Sequence, residues 1–272
     1  MIVALALCCA AIVGGDVDNA DAAVVALTVG GFPYCSGALI GAHTVLTAGH
    51  CDITALPISV ATGADANNPD DTFDVVDVAR DPDFTAEGAD GDVMLLKLDR
   101  DPPLPAGPAA LAKHGLNDGD IGKSIRHVGY GVTDQASGDG RGVKRSVTMP
   151  ITRLTTTTVF SGAGGRQTCD GDSGGPGFIA DDDGVERITG IVSDGPDCVA
   201  DGWDMRVDAV RAFIDDTAAR FERAPEPASA GASGTSGHGC GTCAQGVTGC
   251  ALALLSLVGA LRLRPSRRRG RS

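Results

Sequence analysis

Ser173 lies in Gly171-Asp172-Ser173-Gly174-Gly175-Pro176, a setting that suits a nucleophile. A serine hydroxyl is a poor nucleophile at neutral pH. Acyl transfer through it needs an imidazole to take its proton and hydrogen-bond donors to hold the developing oxyanion. Glycines around Ser173 let backbone N–H groups approach a carbonyl closely. Far upstream, Thr47-Ala48-Gly49-His50-Cys51 offers the imidazole. A carboxylate to fix its tautomer stands in Gly91-Asp92-Val93-Met94-Leu95-Leu96, and Asp92 is preferred to the neighbouring Asp90 because the apolar strand begins directly after it. The order along the chain is His50, Asp92, Ser173.

Gly171-x-Ser173-x-Gly175 also fits the nucleophile elbow of α/β-hydrolases. In that fold the histidine follows the serine, and here the only later histidine is His238 in a glycine-rich segment, so the elbow is excluded. Histidine, then aspartate, then serine is the chymotrypsin order. Ile12 to about Arg220 resembles a trypsin-like serine protease of bacterial type. Further landmarks carry the resemblance: Ile12-Val13-Gly14-Gly15, Cys35 and Cys51 bracketing the histidine strand, Gly129-Tyr130-Gly131, and Ile191-Val192-Ser193 after the nucleophile.

The resemblance implies roles for individual residues. Ser173 attacks, His50 shuttles the proton, Asp92 orients the imidazole, and the N–H groups of Gly171 and Ser173 form the oxyanion hole. A freed α-amino group at Ile12 pairs with Asp172, and the disulfides are Cys35 with Cys51 and Cys169 with Cys198. Gln167 falls at the floor of the substrate pocket, where trypsin itself carries an aspartate. Gly195 and Gly202 match its walls, Ser193 lies on the adjoining strand, and Asp204 approaches the base from behind as a candidate counter-charge. Asp194 stands where the family usually has tryptophan. The expected preference is therefore for neutral residues before the scissile bond. Ala11 replaces the Arg or Lys that usually precedes the mature terminus in the zymogens, so export processing is the expected route to a free Ile12.

The chain of 272 residues is 43% hydrophobic and 21% charged, ordinary values for a globular protein with a core. All 35 acidic residues precede Pro227, which argues against nucleic acid as a partner. The acidity reads as a solvated surface. The acidic stretch Asp65–Asp74 fits no EF-hand spacing and reads as a solvated loop; no metal or cofactor is expected. The body holds an even set of cysteines, Cys35, Cys51, Cys169 and Cys198, and disulfides among them imply an oxidising compartment.

Residues 1–11 are apolar and end in Cys9-Ala10-Ala11, a pattern suited to signal cleavage before Ile12. Residues 12–223 form the protease-like domain, with barrels expected at about 12–105 and 106–223. Residues 224–239 are a Pro, Ala, Gly and Ser-rich linker. Residues 240–272 hold Cys240-Gly241-Thr242-Cys243, an apolar run from Val247 to Leu261, and six of the 22 basic residues. This tail is similar to the Cys-motif sorting tags of myxobacterial surface proteins, with a plain membrane anchor as the alternative. It implies contact with a membrane or sorting machinery, and a protein secreted or held at the cell surface or outer membrane.

Many short β-branched runs with frequent turn residues indicate an all-β barrel or sandwich: Ala23–Val29, Val45–Ala48, Ile58–Ala61, Phe73–Val78, Val93–Leu98, Ile125–Val128, Val147–Ile151, Gly175–Ile179 and Ile188–Val192. The resemblance narrows this to two six-stranded antiparallel β-barrels. Val207, Val210, Phe213, Ile214, Ala218 and Phe221 recur at helical spacing and predict a C-terminal helix. The function expected is that of an exported, monomeric serine endopeptidase acting on proteins or peptides. Two alternatives stand beside it: a non-catalytic surface binding module on the same scaffold, and an esterase or amidase for small substrates.

Overall fold

Runs of β-branched and leucine-rich residues alternate with Gly, Asp and Pro, and each is too short to bury itself except by pairing with neighbours. A computed structural model describes residues 12–53, 56–85 and 90–223; the expected signal segment, linker and Cys-motif tail lie outside the described residues. A short strand, β1 (Asp16–Val17), comes first. β2 (Val24–Val29), β3 (Phe32–Leu39), β4 (Thr44–Thr47), β5 (Ser59–Thr62), β6 (Asp71–Arg80) and β7 (Met94–Leu98) then form a closed barrel in the order β2-β3-β4-β7-β6-β5.

The second barrel contains β8 (Ser124–Gly129), β9 (Arg145–Leu154), β10 (Thr158–Ser161), β11 (Pro176–Ala180), β12 (Glu186–Asp194) and β13 (Gly202–Arg206). Its ring runs β9-β10-β13-β12-β11-β8 and is closed by antiparallel pairing of β8 with β9. β1 attaches to the outside of this ring, with Asp16 opposite Ser146. The amino-terminal strand thus pairs with the second barrel and not with the first. One helix, α1 (Arg211–Phe221), follows. The architecture is all-β, with two six-stranded antiparallel barrels and a C-terminal helix, as expected.

Burial explains both closures. Leu27, Leu39, Leu46, Leu95 and Leu96, on the strands of the first barrel, are buried on one or other of its faces, and truncating any of them to alanine would cost about 2–5 kcal/mol. Tyr130 follows β8, yet its hydroxyl lies within hydrogen-bond distance of the carbonyls of Gly63 at 2.6 Å and Val24 at 3.0 Å, so it ties the second barrel to the first. Val207 and Val210 are buried in the turns before α1, while Ile214, Thr217 and Phe221 form its inner stripe at three- and four-residue spacing. No helix among the described residues is long and apolar enough to cross a membrane.

Candidate active site

His50 occupies a single 3₁₀ turn, Gly49–Cys51, just beyond β4, and Asp92 stands two residues before β7. β4 and β7 are antiparallel with Thr47 opposite Met94, so the register brings the two side chains together. His50 Nδ1 lies 2.8 Å from Asp92 Oδ2, and the His50 backbone N–H donates to Asp92 Oδ1 at 2.9 Å. Ser193, on β12 of the other barrel, donates its hydroxyl to Asp92 Oδ2 at 2.5 Å. The Asp92 side chain is 3% exposed and that of His50 37%, so the carboxylate is sealed and the imidazole faces the cleft.

Burial alone would raise the Asp92 pKa. The hydrogen bond and charge of His50, with the Ser193 hydroxyl, outweigh it and hold the carboxyl below its usual range. An ionised Asp92 assigns the proton to His50 Nδ1 and leaves Nε2 as an acceptor, the tautomer required of a general base.

Ser173 sits in a tight loop between Cys169 and β11, half-buried at the mouth of a cleft of about 70 Å³. Gly171 has φ +99°, a left-handed conformation that L side chains rarely adopt. The Val132 N–H donates to the Asp170 carbonyl at 2.9 Å. Because the following peptide is trans, the Gly171 N–H points the opposite way. Neither the Gly171 nor the Ser173 N–H finds a partner among the described residues, which leaves both available to an oxyanion.

Ser36 hangs this loop on the first barrel. Its N–H donates to the Ser173 carbonyl at 2.8 Å, and its hydroxyl donates to the Gly171 carbonyl at 2.8 Å while accepting the Tyr130 N–H at 2.9 Å. Its own carbonyl accepts the Thr47 hydroxyl at 2.7 Å. Sequence reasoning missed Ser36. The only signal was a lone polar residue beside Cys35 in an apolar strand, and that residue is fully buried.

Asp172 is buried beneath the same loop, in space left by Gly129 and Gly131. Its oxygens accept the N–H groups of Gly131 at 2.8 Å and Cys169 at 2.9 Å, and it forms no ion pair among the described residues. Burial pushes its pKa up to about 6, against the two backbone donors. Ile12 is buried with Val147 and Met149, and its neighbour Val13 bridges to Gln167. In this chain Ile12 is joined to Ala11, so its nitrogen is an amide.

The cleft is lined by Thr168, Cys169, Val192, Gly195, Cys198 and Gly202, with the exposed carboxylates of Asp170, Asp194 and Asp197 also on its lining. Gln167 lies under it with every amide group engaged. Nε2 donates to the carbonyls of Ser161 at 2.9 Å and Ala200 at 2.7 Å, and Oε1 accepts the N–H and hydroxyl of Thr168 at 2.8 and 3.0 Å. Asp204 is not among the lining residues: it is buried behind the wall, where Oδ2 meets His127 Nε2 at 2.8 Å. Cys35 is bonded to Cys51 and Cys169 to Cys198. Sulfur comes close to His50 and to Asp170 only as these disulfides, which offer a metal no thiolate.

Two antiparallel barrels that meet at a His–Asp pair and a glycine-framed serine define the chymotrypsin-fold class of serine hydrolases. Residues 12–214 match the family model described as Trypsin, and the chain belongs to that family. It is a serine endopeptidase. It is 28% identical over 233 residues to a vitellin-degrading protease of Bombyx mori, covering 75% of this chain and 84% of the relative. Brachyurin of Leptuca pugilator is 29% identical over 187 residues, covering 61% of this chain and 80% of brachyurin. In fold it is similar to neuropsin, a serine protease expressed in the limbic system of mouse brain, with a TM-score of 0.66 at 23% identity over 75% of this chain and 98% of neuropsin.

Proposed function

We propose that the chain is an exported endopeptidase in which Ser173 attacks the scissile carbonyl and forms an acyl-enzyme. His50 Nε2 takes the serine proton and returns it to the leaving amine. Asp92 holds the imidazole and stabilises its positive charge, and the N–H groups of Gly171 and Ser173 receive the oxyanion. The observation that carries the reading is the 2.8 Å contact of His50 Nδ1 with a buried Asp92 that also takes the Ser193 hydroxyl.

The bound Gln167 amide and the covered Asp204 support a pocket for neutral side chains before the bond. The disulfides favour an oxidising compartment, which the protease, of bacterial type, reaches as a monomer through an export signal at 1–11. The tail at 240–272 acts as a sorting tag or anchor. Release of the Ile12 amine by export processing supplies the cation that Asp172 lacks.

Labelling with a fluorophosphonate probe tests the chemistry. Protein beginning at Ile12 takes up one probe at Ser173. Ser173→Ala abolishes uptake, and His50→Ala slows it by several orders of magnitude. An unlabelled wild type would favour a binding module instead.

A further inference from the structure

In a chain with 35 acidic residues, arginines readily find carboxylates. Arg100, Arg126, Arg187, Arg206 and Arg211 each make an ion pair. Arg141 does not. Its guanidinium has neither a carboxylate nor a carbonyl partner among the described residues, although the residue is only half exposed. Instead it lies over the Phe32 ring, 5.5 Å from the centroid, and Nη1 sits 3.1 Å from where a Cβ on Gly171 would be. It therefore borders the oxyanion loop itself.

The surrounding structure fixes the backbone from which it extends. The Arg141 carbonyl accepts Asn67 Nδ2 at 2.9 Å, and the next carbonyl, of Gly142, accepts the Ala66 N–H at 2.7 Å. Gly142 has φ +84° and is pressed so closely on Pro33 and Asn67 that a side chain there would clash. Asp65, from the acidic stretch, fixes Asn67 by accepting its N–H at 3.0 Å and its Nδ2 at 2.9 Å. The segment 65–67 thus clamps the backbone that carries Arg141 rather than being a free solvated loop.

Position then sets the role. Neither Arg141 nor Phe32 lines the cleft that receives the side chain before the bond, whereas Arg141 Nη1 borders Gly171. A peptide with its carbonyl carbon at Ser173 and its oxygen on the Gly171 N–H must leave the cleft over that side. At about 3.3 Å per residue, its first two residues after the bond come within reach of Nη1. We propose that Arg141 is a specificity-determining residue that binds a carboxylate on the leaving-group side of the scissile bond. That carboxylate is either an acidic side chain at the second position or the carboxyl terminus of a short leaving peptide. A planar guanidinium held by an aromatic face is suited to such a partner.

The proposal rests on Ser173 being the nucleophile, so the wild type is first labelled with fluorophosphonate. Failure to label refutes that role and not this one. Labelled enzyme is then given quenched peptides that differ only in Glu, Ala or Lys two residues after the bond. A further pair carries alanine there and ends at that residue as the free acid or the amide.

The expected result is about a fivefold higher kcat/KM for Glu than for Lys, for the free acid over the amide, or for both. The side-chain and terminal arms identify the source. Arg141→Gln brings the ratios to within about twofold of unity, Arg141→Lys keeps their direction, and Arg141→Glu reverses them. Each ratio is taken within one enzyme, so the folded fraction cancels. Ratios near unity in the wild type, or unchanged in Arg141→Gln, would overturn the proposal.

Discussion

Extending the amino terminus by one residue is the perturbation that bears most directly on how the oxyanion loop is held. With Ala11 attached, Asp172 is a buried carboxyl whose pKa burial has pushed up to about 6 from 3.8. Two backbone donors and the more distant charges of His127 and Arg145 soften this without removing it. A displacement of about two units corresponds to roughly 3 kcal/mol of folding stability withheld once the group is ionised. The folded carboxyl binds its proton more tightly than the unfolded one. Stability of the extended form is therefore greatest below pH 4 and falls as pH rises to about 6. A free Ile12 amine paired with Asp172 removes that fall. Its own contribution is present below pH 8 and is lost only above, as pH rises through the raised pKa of the amine.

Urea unfolding of the two forms from pH 4 to 9 measures the difference, with termini verified by mass spectrometry. Their gap should widen towards about 3 kcal/mol near neutrality and narrow in acid. Asp172→Asn in the extended form should flatten its profile. Parallel profiles for the two forms would refute the pairing, and equal ester turnover by both would show that it does not govern activity.

Asp92→Asn should lower kcat by about three to four orders of magnitude with little change in KM, because His50 would then hold the wrong tautomer. Steady-state kinetics on a small ester would reveal a smaller effect. Ser36→Ala leaves the Gly171 carbonyl and the Tyr130 N–H without the hydroxyl they share, so unfolding free energy should drop by about 2–3 kcal/mol and kcat should fall; full activity at wild-type stability would disprove the hub. In a positional library, neutral residues before the bond should be cleaved at least as well as Arg or Lys. Dominance by Arg and Lys would instead show that Asp170, Asp194 and Asp197 govern the pocket from its lining.

The triad candidates and the barrel strands rich in Val, Ile and Leu were legible in the sequence, since motif order and apolar runs are local signals. Four strands were not. β1 is two residues long, β3 reads Phe-Pro-Tyr-Cys-Ser-Gly-Ala-Leu without alternation, β10 follows a run of threonines, and β13 buries Asp204 and Arg206. In each, pairing to a neighbour overrides a weak intrinsic preference. Ser36, the second role of Ser193 and the placement of Arg141 all depend on contacts 94 to 135 residues apart in sequence or on the packing of two loops. No local pattern encodes such contacts. His127 has no motif residue beside it in the sequence, and it is the partner that takes Asp204 away from the pocket.

The two halves of the site are secured in different ways. The His50–Asp92 half is fixed by the β4–β7 register, by two hydrogen bonds between the residues and by Ser193 reaching across from the second barrel, and every buried charge in it has a partner. The Ser173 half hangs from Ser36 and rests on Asp172, a buried carboxyl with two backbone donors and no cation among the described residues. An uncompensated buried charge is the least stable member of such an assembly. Any event that supplies or removes a cation near Asp172 therefore acts, in the proposed mechanism, on the loop that carries the oxyanion donors while leaving the His50–Asp92 pair as it was. In the proposed mechanism, control falls on stabilisation of the tetrahedral intermediate, the step in which the Gly171 N–H takes part.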